Sequence, residues 1–360
     1  MYTRVGPALH PSRVSKQAAC GLLIHDLADD MPGLPMGPFA RTKEGTIVAI
    51  EQGECLRSQD EGVTWERRPV FSSPKDMAGT ECALLCTREG TLIAAWLNMG
   101  EKEWTWSDEQ HDAPGARLPT YAMRSVDGGE TWTDIQKLHD DWTGAIRDII
   151  QTRSGRVVFT SMKLLHNPGR HSVLTYASDD EGVSWHASNV LDLGGVGHHG
   201  GVTESTICEL QDGRLYMLLR TNWSQFWFAI SRDAGDTWHP MGPAGIEAAP
   251  SPGLLLRLSS GRIALFYNRL YPEQEREWPL VGGDGLWSSV PVRNHRSELS
   301  LTFSEDECES WSAPVVLARD PEKGWISYPY AFEASPGVIW LTTMQGDLRM
   351  RLREDDYTKG

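Results

Sequence analysis

The stretch Ser178-Asp-Asp180-Glu-Gly182-Val-Ser184-Trp185 decides how this chain is expected to fold. Its pattern is Ser-x-Asp-x-Gly-x-Ser/Thr-Trp, which we call the box motif. Three further complete copies begin at Ser58, Ser125 and Ser231, and a fifth begins at Ser304 with Cys308 in place of the glycine. A pattern of this length rarely recurs by chance, so the copies are an internal repeat.

Each box motif has the chemistry of a tight turn between two β-strands. The Asp carboxylate and the Ser hydroxyl can bond to the backbone of the turn itself, and the glycine supplies a positive φ. The tryptophan is expected to pack over the next strand and fill a gap between neighbouring units. Cys308 stands where a positive φ is expected, so it should carry backbone strain. We interpret the box motifs as structural and not catalytic.

The segments around the box motifs follow one order. A strand, a glycine turn, a second strand and a loop lead to a third strand that enters the motif, and a fourth strand leaves it. The motifs begin 67, 53, 53 and 73 residues apart, which is typical of propeller blades with four short antiparallel strands each. Residues 326–352 supply a sixth blade, which a segment such as 19–25 is expected to complete. The sequence predicts an all-β, six-bladed propeller as one domain over 1–360, with 1–18 as an irregular extension.

Composition excludes several classes of protein. Hydrophobic residues make up 40% of the chain, and no run of 18 apolar residues exists, so a membrane span is not expected. With 49 acidic and 34 basic residues the net charge is -15, which argues against nucleic-acid binding. Cys82 and Cys86 lack a second pair at zinc-site spacing, so we predict reduced cysteines, no metal and no cofactor. The start has no apolar leader, so the chain is expected to be cytoplasmic, or secreted or periplasmic if a leader has been removed.

Strand direction sorts the polar residues onto two faces of the propeller. Because strands in a blade alternate in direction, first strands begin and second strands end on one face, which lies opposite the box motifs and which we call the loop face. Several arginines there point to an anionic ligand group, since a guanidinium fork suits a carboxylate. The candidate site residues on the loop face are Arg147, Asp148, His198, His199, Glu204, Arg220, Asn268, Arg296 and Tyr328.

Three segments of the loop face resemble those of the sialidase (neuraminidase) superfamily. The segment from Glu204 to Arg220 resembles a stretch between a buried glutamate and the second arginine of a carboxylate-binding triad. Arg296 begins a segment similar to the one with the third arginine, and Ser327-Tyr328-Pro-Tyr330 resembles the segment with the nucleophilic tyrosine. The resemblance implies a glycosidase in which Arg220 and Arg296 bind a sugar carboxylate. It also implies that Tyr328 attacks the anomeric carbon while Glu204 takes its proton.

Two parts of the sialidase pattern are missing from this chain. Where that superfamily begins blade 1 with arginine, an apolar residue and proline, this chain has Met36-Gly37-Pro38, and blade 1 has no acid/base aspartate. His199, Asp148 or Glu51 is expected to supply the missing proton donor, with Arg147, His198 and Asn268 among the substrate-binding residues. The sequence therefore predicts cleavage of a terminal acidic sugar from a glycan, with the identity of the sugar open.

Two other functions fit the same residues. One is a lyase acting on a uronic acid, in which arginines neutralise the carboxylate and His199 or Tyr328 removes the C5 proton. The other is a non-catalytic propeller that binds a glycan or a protein. The expected partner is an acidic carbohydrate, with no nucleic acid and no membrane, and the oligomeric state is open.

Overall fold

The computed structural model describes residues 13–71, 78–195, 197, 199–270, 294, 296–322 and 324–358. In this part of the chain, six sheets of antiparallel strands surround a central axis, and helix is confined to a turn of 3-10 helix at Met99–Glu101 and the four-residue α1, Asp355–Thr358. The prediction of an all-β, six-bladed propeller is confirmed. No helix in the described ranges is long and apolar enough to cross a membrane.

Most blades are built from four consecutive strands. The chain begins with β1 (Val14–Gln17), β2 (Leu23–His25) and β3 (Asp29–Asp30). Blade 1 contains β4 (Phe39–Arg41), β5 (Ile47–Glu51), β6 (Glu54–Ser58) and β7 (Glu66–Pro69), and blade 2 contains β8 (Ala78–Cys86), β9 (Leu92–Asn98), β10 (Thr120–Ser125) and β11 (Thr133–His139). Blade 3 contains β12 (Ile149–Gln151), β13 (Val157–Leu165), β14 (Arg170–Ser178) and β15 (His186–Ala187).

The second half of the ring continues in the same order. Blade 4 contains β16 (Val202–Glu209), β17 (Leu215–Thr221), β18 (Gln225–Ser231) and β19 (His239–Glu247). Blade 5 contains β20 (Leu254–Arg257), β21 (Ile263–Tyr267), β22 (Glu298–Ser304) and β23 (Val315–Arg319). Blade 6 contains β24 (Ser327–Ser335), β25 (Val338–Gln345) and β26 (Arg349–Arg353).

The N-terminal strands close the ring differently from the prediction. Strand β3 pairs with β26 and completes blade 6, whereas β2 pairs with β23 and β1 with β2, so both extend blade 5. The assignment of 19–25 to blade 6 is therefore wrong, and the extension expected to be irregular over 1–18 includes strand β1. The physical reason is burial: Ile24 is 0% exposed and joins the hydrophobic core between blades 5 and 6.

The predicted turn chemistry is present in the box motifs. In the third, Ser178 Oγ donates to Asp180 Oδ1 at 2.9 Å, and the backbone N–H of Gly182 donates to Ser178 Oγ at 2.8 Å. The backbone N–H and the hydroxyl of Ser184 both donate to the Asp180 carboxylate, at 2.8 and 2.5 Å. The other four motifs repeat these bonds. Cys308 has a φ of +70°, as expected for the residue that replaces the glycine.

The box motifs also attach each blade to the one before it. A Cβ atom at Gly62, which has a φ of +81°, would lie 2.6 Å from the Trp340 ring of blade 6. Trp238 of blade 4 is 1% exposed, and its Nε1–H donates to Thr175 Oγ1 of blade 3 at 2.8 Å. It belongs to a core cluster that both blades share, which includes Val158 and Met217. The hydrophobic core therefore lies between neighbouring blades, and the strand ends are free to form a site.

Candidate active site

Four predicted residues from three blades meet near the central axis. The Tyr328 hydroxyl donates to Glu204 Oε1 at 3.0 Å, and Arg220 Nη1 donates to the same hydroxyl at 3.3 Å. Arg220 Nη1 also donates to Glu204 Oε2 in a direct ion pair. Arg296 Cζ lies 5.5 Å from the centroid of the Tyr328 ring. The structure thus brings together the residues to which the resemblance assigned the central roles.

The backbone is strained at two of these residues. Glu204 has a φ of +26° and Tyr328 a φ of +61°, in a region that bulky residues rarely adopt. At Glu204 the pairing of β16 with β17 shifts by one residue, between Thr203 and Ser205. Strain of this kind costs on the order of 1–3 kcal/mol per residue and is found most often at functional sites.

Burial and charge set the protonation of the pair. Burial alone would raise the pKa of Glu204, but the guanidinium of Arg220, helped by Arg147 and Arg296, holds that pKa below its usual value. The pKa of the Tyr328 phenol is raised, first by burial and then by the negative charge of Glu204. At neutral pH the site therefore contains a neutral phenol hydrogen-bonded to an ionised carboxylate, which is the arrangement of a nucleophile with its base.

Arg147 lies beneath the two tyrosines of β24. Its Cζ is 5.2 Å from the centroid of the Tyr328 ring and 4.9 Å from that of Tyr330, and its Nη2 donates to the carbonyl of Pro329 at 2.9 Å. Within the described residues, the buried Nε atoms of Arg147 and Arg220 have no hydrogen-bond partner. A buried donor without a partner costs about 1–3 kcal/mol, so these two unsatisfied N–H groups destabilise the site.

All three guanidinium nitrogens of Arg296 donate hydrogen bonds within the protein. Its Nε donates to Asn294 Oδ1 at 2.8 Å, its Nη2 to the carbonyl of Pro250 at 2.7 Å and its Nη1 to Gln345 Oε1 at 3.4 Å. The guanidinium also stacks on the exposed Trp325 ring, with Cζ 4.6 Å from the centroid. The pKa of Arg296 is lowered by its burial and by the nearby charge of Arg220. The geometry thus fixes Arg296 firmly beside Tyr328.

Glu81 is a site residue that the sequence analysis missed. It is half-buried in β8, and its pKa is raised to about 8, first by burial and then by the charge of Glu204, against the opposing effects of Arg147 and Arg220. The signal was present in the sequence, because β8 is the first strand of its blade, as β16 is for Glu204. Applying the same rule of strand direction to blade 2 would have placed Glu81 on the loop face.

The side chain of Asp148 bonds to blade 4. Its Oδ2 accepts hydrogen bonds from Thr206 Oγ1 at 2.5 Å and from the backbone N–H of Ile207 at 2.9 Å, which joins blade 3 to blade 4. The residue lines an axial cavity of about 510 Å³, and burial raises its pKa to about 6. The prediction that Asp148 donates a proton to the substrate is therefore corrected: its carboxylate makes a contact between blades.

Three other predicted residues have different outcomes. Asn268 is 0% exposed, and its Nδ2 donates to the carbonyls of Glu298 and Ile326, both at 2.8 Å, so it joins blades 5 and 6 instead of facing a ligand. The ring of His199 lies 6.4 Å from that of His171, centroid to centroid. His198 lies outside the described residues. No group of three or more His, Cys, Asp or Glu side chains within the described ranges is arranged to hold a metal ion.

Comparison with known proteins assigns the chain to a family. A family model described as a BNR repeat-like domain matches residues 56–341. No curated protein sequence matches the chain significantly. Among similar solved structures, a protein of unknown function from Dyadobacter fermentans shares 17% identity with a TM-score of 0.61, over 96% of this chain and 98% of that one.

Two similar structures are described as sialidases. The Hadza microbial sialidase Hz136 shares 17% identity with a TM-score of 0.61, and the match covers 89% of this chain but 66% of that one. The intramolecular trans-sialidase from Ruminococcus gnavus, solved in complex with oseltamivir carboxylate, shares 14% identity with a TM-score of 0.58, over 93% of this chain and 96% of that one. At these identities the likeness shows a common fold.

Proposed function

We propose that this chain, which belongs to the family of BNR repeat-like domains and has a sialidase-like propeller fold, is a glycosidase that removes a terminal acidic sugar from a glycan. One observation carries the proposal: the Tyr328 phenol donates to the buried Glu204 carboxylate, which is paired with Arg220. A tyrosine held in this way has a base for its proton and a strained backbone that fixes its position.

The choice of a phenol as nucleophile is consistent with an acidic substrate. A carboxylate nucleophile would be repelled by a carboxylate of the substrate at the reacting carbon, whereas a neutral phenol is not. As the Tyr328 oxygen attacks the anomeric carbon, its proton passes to Glu204 Oε1, which already accepts the hydrogen bond. The positive charge of Arg220 keeps Glu204 ionised in the resting state and so able to accept that proton.

The guanidinium groups support binding of an anion. Arg147, Arg220 and Arg296 surround the Tyr328 ring, so a carboxylate bound beside Tyr328 would lie close to three positive charges. A similar fold was solved with oseltamivir carboxylate, a ligand whose name includes the same group. We propose that Arg220 is the main residue that binds the carboxylate of the substrate, and that Arg147 and Arg296 add positive charge around that carboxylate.

The test is a turnover screen with two simultaneous readouts. The protein is incubated with sialosides and with uronic-acid glycans while reducing ends and ultraviolet absorbance are followed. Hydrolysis releases reducing sugar without new absorbance, whereas a lyase creates an unsaturated uronate that absorbs. Tyr328→Phe should reduce turnover by at least about 1000-fold, because the nucleophile is lost. The matched control is Tyr357→Phe, since Tyr357 lies in the C-terminal α1 and packs against His25, and its hydroxyl has no part in the proposed reaction.

Three outcomes would contradict hydrolysis through Tyr328. Turnover by Tyr328→Phe at the wild-type rate would remove the tyrosine from the reaction. An increase in ultraviolet absorbance in proportion to the new chain ends would show that the reaction is elimination and not hydrolysis. Ligand binding without any turnover, unchanged in Tyr328→Phe, would make the propeller a binding module.

A further inference from the structure

The proposed reaction needs a group that protonates the departing oxygen. Without such a group, the alcohol of the glycosidic bond would have to leave as an alkoxide, which is a poor leaving group. Of the candidates from the sequence, Asp148 joins two blades, and the described contact of the His199 ring is with His171. A proton donor must instead be sought among the groups that surround Tyr328.

Strand β8 of blade 2 brings a carboxyl group to this place. The backbone of Cys82 contacts the Tyr330 hydroxyl, with its N–H donating at 3.4 Å and its carbonyl accepting at 3.3 Å. Tyr330 in turn lies against Arg147, whose guanidinium also contacts the Tyr328 ring. Glu81, the residue before Cys82, is therefore held beside the cluster by its own strand, with its side chain partly exposed.

We propose that Glu81 is the general acid of the reaction and donates its proton to the glycosidic oxygen as the bond to the anomeric carbon breaks. The inference rests on the proposed function and adds a catalytic residue to it. Blade 1 lacks an acid/base aspartate, and blade 2 supplies a glutamate in the first half of its first strand.

The charges around the two glutamates favour opposite protonation states. The pKa of Glu81 is raised to about 8 by burial and by the charge of Glu204, so Glu81 is mostly protonated at neutral pH. The pKa of Glu204 is lowered by Arg220, so Glu204 is ionised. Two neighbouring carboxyl groups with their pKa values moved apart in this way are typical of an acid and a base in one site.

The groups that act on Glu81 come from several elements of the ring. Among the described residues, the charged or titratable groups that face it are Arg147 of blade 3, Glu204 and Arg220 of blade 4, the phenols of Tyr328 and Tyr330 in blade 6 and the neighbouring thiol of Cys82. The two arginines lower the pKa of Glu81, and the carboxylate of Glu204 raises it. A bound carboxylate would add a second negative charge and raise it further.

The proton and bond changes balance over two steps. In the first, the Tyr328 oxygen bonds to the anomeric carbon and gives its proton to Glu204, while Glu81 gives its proton to the glycosidic oxygen and the alcohol leaves. In the second, water attacks the anomeric carbon and gives a proton to Glu81. The Tyr328 oxygen leaves and recovers its proton from Glu204, so every group returns to its starting state.

The test compares two substrates that differ only in the leaving group. One releases an acidic phenol, which needs little protonation, and the other releases an alkyl alcohol, which needs a full proton transfer. Glu81→Gln should lower kcat/KM for the alkyl substrate by about 100- to 10,000-fold, the usual contribution of a general acid. The aryl substrate should lose less than about 10-fold. Glu333→Gln is the matched control, because the Glu333 carboxylate accepts hydrogen bonds from Ser259 of blade 5 and has no part in the proposed reaction.

A second measurement does not depend on the variant folding. For the wild-type protein, kcat/KM on the alkyl substrate should fall above about pH 8, as Glu81 loses its proton, and this limb should be absent with the aryl substrate. Equal losses on both substrates, or the same basic limb for both, would overturn the role of Glu81 while leaving the proposed function intact. Failure of the wild-type protein to cleave either substrate would overturn the proposed function and Glu81 with it.

Discussion

The ion pair between Glu204 and Arg220 makes a strong prediction about stability. Arg220 is 2% exposed and Glu204 is 8% exposed, so neither charge is compensated by water. Arg220→Met removes the cation and leaves the carboxylate with the Tyr328 hydroxyl. Breaking a buried pair in this way costs about 3–5 kcal/mol. Glu204→Gln should cost about 1–3 kcal/mol, because an amide oxygen can still accept from Arg220 while the buried cation loses its counter-charge.

A double variant measures the interaction energy between Glu204 and Arg220 separately from the contribution of each residue. Combining Arg220→Met with Glu204→Gln removes both charges and leaves no uncompensated ion, so the free energy of unfolding should lie about 1–3 kcal/mol above the value expected from adding the single losses. Urea unfolding followed by far-UV circular dichroism and by the fluorescence of the 15 tryptophans would measure it. The exposed pair of Arg214 with Asp212 is the control and should show no measurable coupling. Additive losses at 204 and 220 would refute the argument that Arg220 keeps Glu204 ionised.

Three other changes test separate parts of the structure. Gly62→Ala should lower the free energy of unfolding by about 2–4 kcal/mol, because of the positive φ and a clash with a tryptophan of blade 6. Gly213→Ala, where a Cβ atom would meet no neighbour, should lower it by about 1–2 kcal/mol in the same unfolding assay. The raised pKa of Asp148, about 6, means that stability is lost as pH rises from about 4 to about 6. Asp148→Asn should remove this part of the pH dependence, and an unchanged profile would contradict the assignment. Trp325 is 41% exposed and stacked on Arg296, so Trp325→Ala should raise KM for an oligosaccharide by about 10-fold with little change in kcat; an unchanged KM would exclude a contact with the substrate.

The fold could be predicted because each box motif contains its own turn. The bonds from Ser178 to Asp180 and from Ser184 to Asp180 span at most four residues, so they form wherever the sequence pattern occurs. The N-terminal strands have no such local determinant. Strand β2 is three residues long, and its place in blade 5 follows from the burial of Ile24 between two blades, which a local pattern does not encode.

The same distinction holds in the site. The direction of the strands was sufficient to bring Glu204, Arg220 and Tyr328 to one end of the ring, because that rule depends only on strand order. It was not sufficient for Asp148, because successive side chains on extended backbone point to opposite sides. Arg147 reaches the tyrosines, and the next residue turns to blade 4. The raised pKa of Glu81 was also beyond the sequence, since it depends on charges from other blades.

The position of Arg147 explains how a strained tyrosine is kept in place. In the box motif at Cys308, the positive φ is offset by a local bond from its backbone N–H to Ser304 Oγ. Tyr328 has a comparable φ of +61°, and here the support comes from blade 3: Arg147 contacts its ring and donates to the next carbonyl, that of Pro329. The guanidinium therefore contacts both the tyrosine's ring and the backbone next to it. In the proposed reaction, an anion bound at Arg147 would therefore contact the same side chain that positions Tyr328.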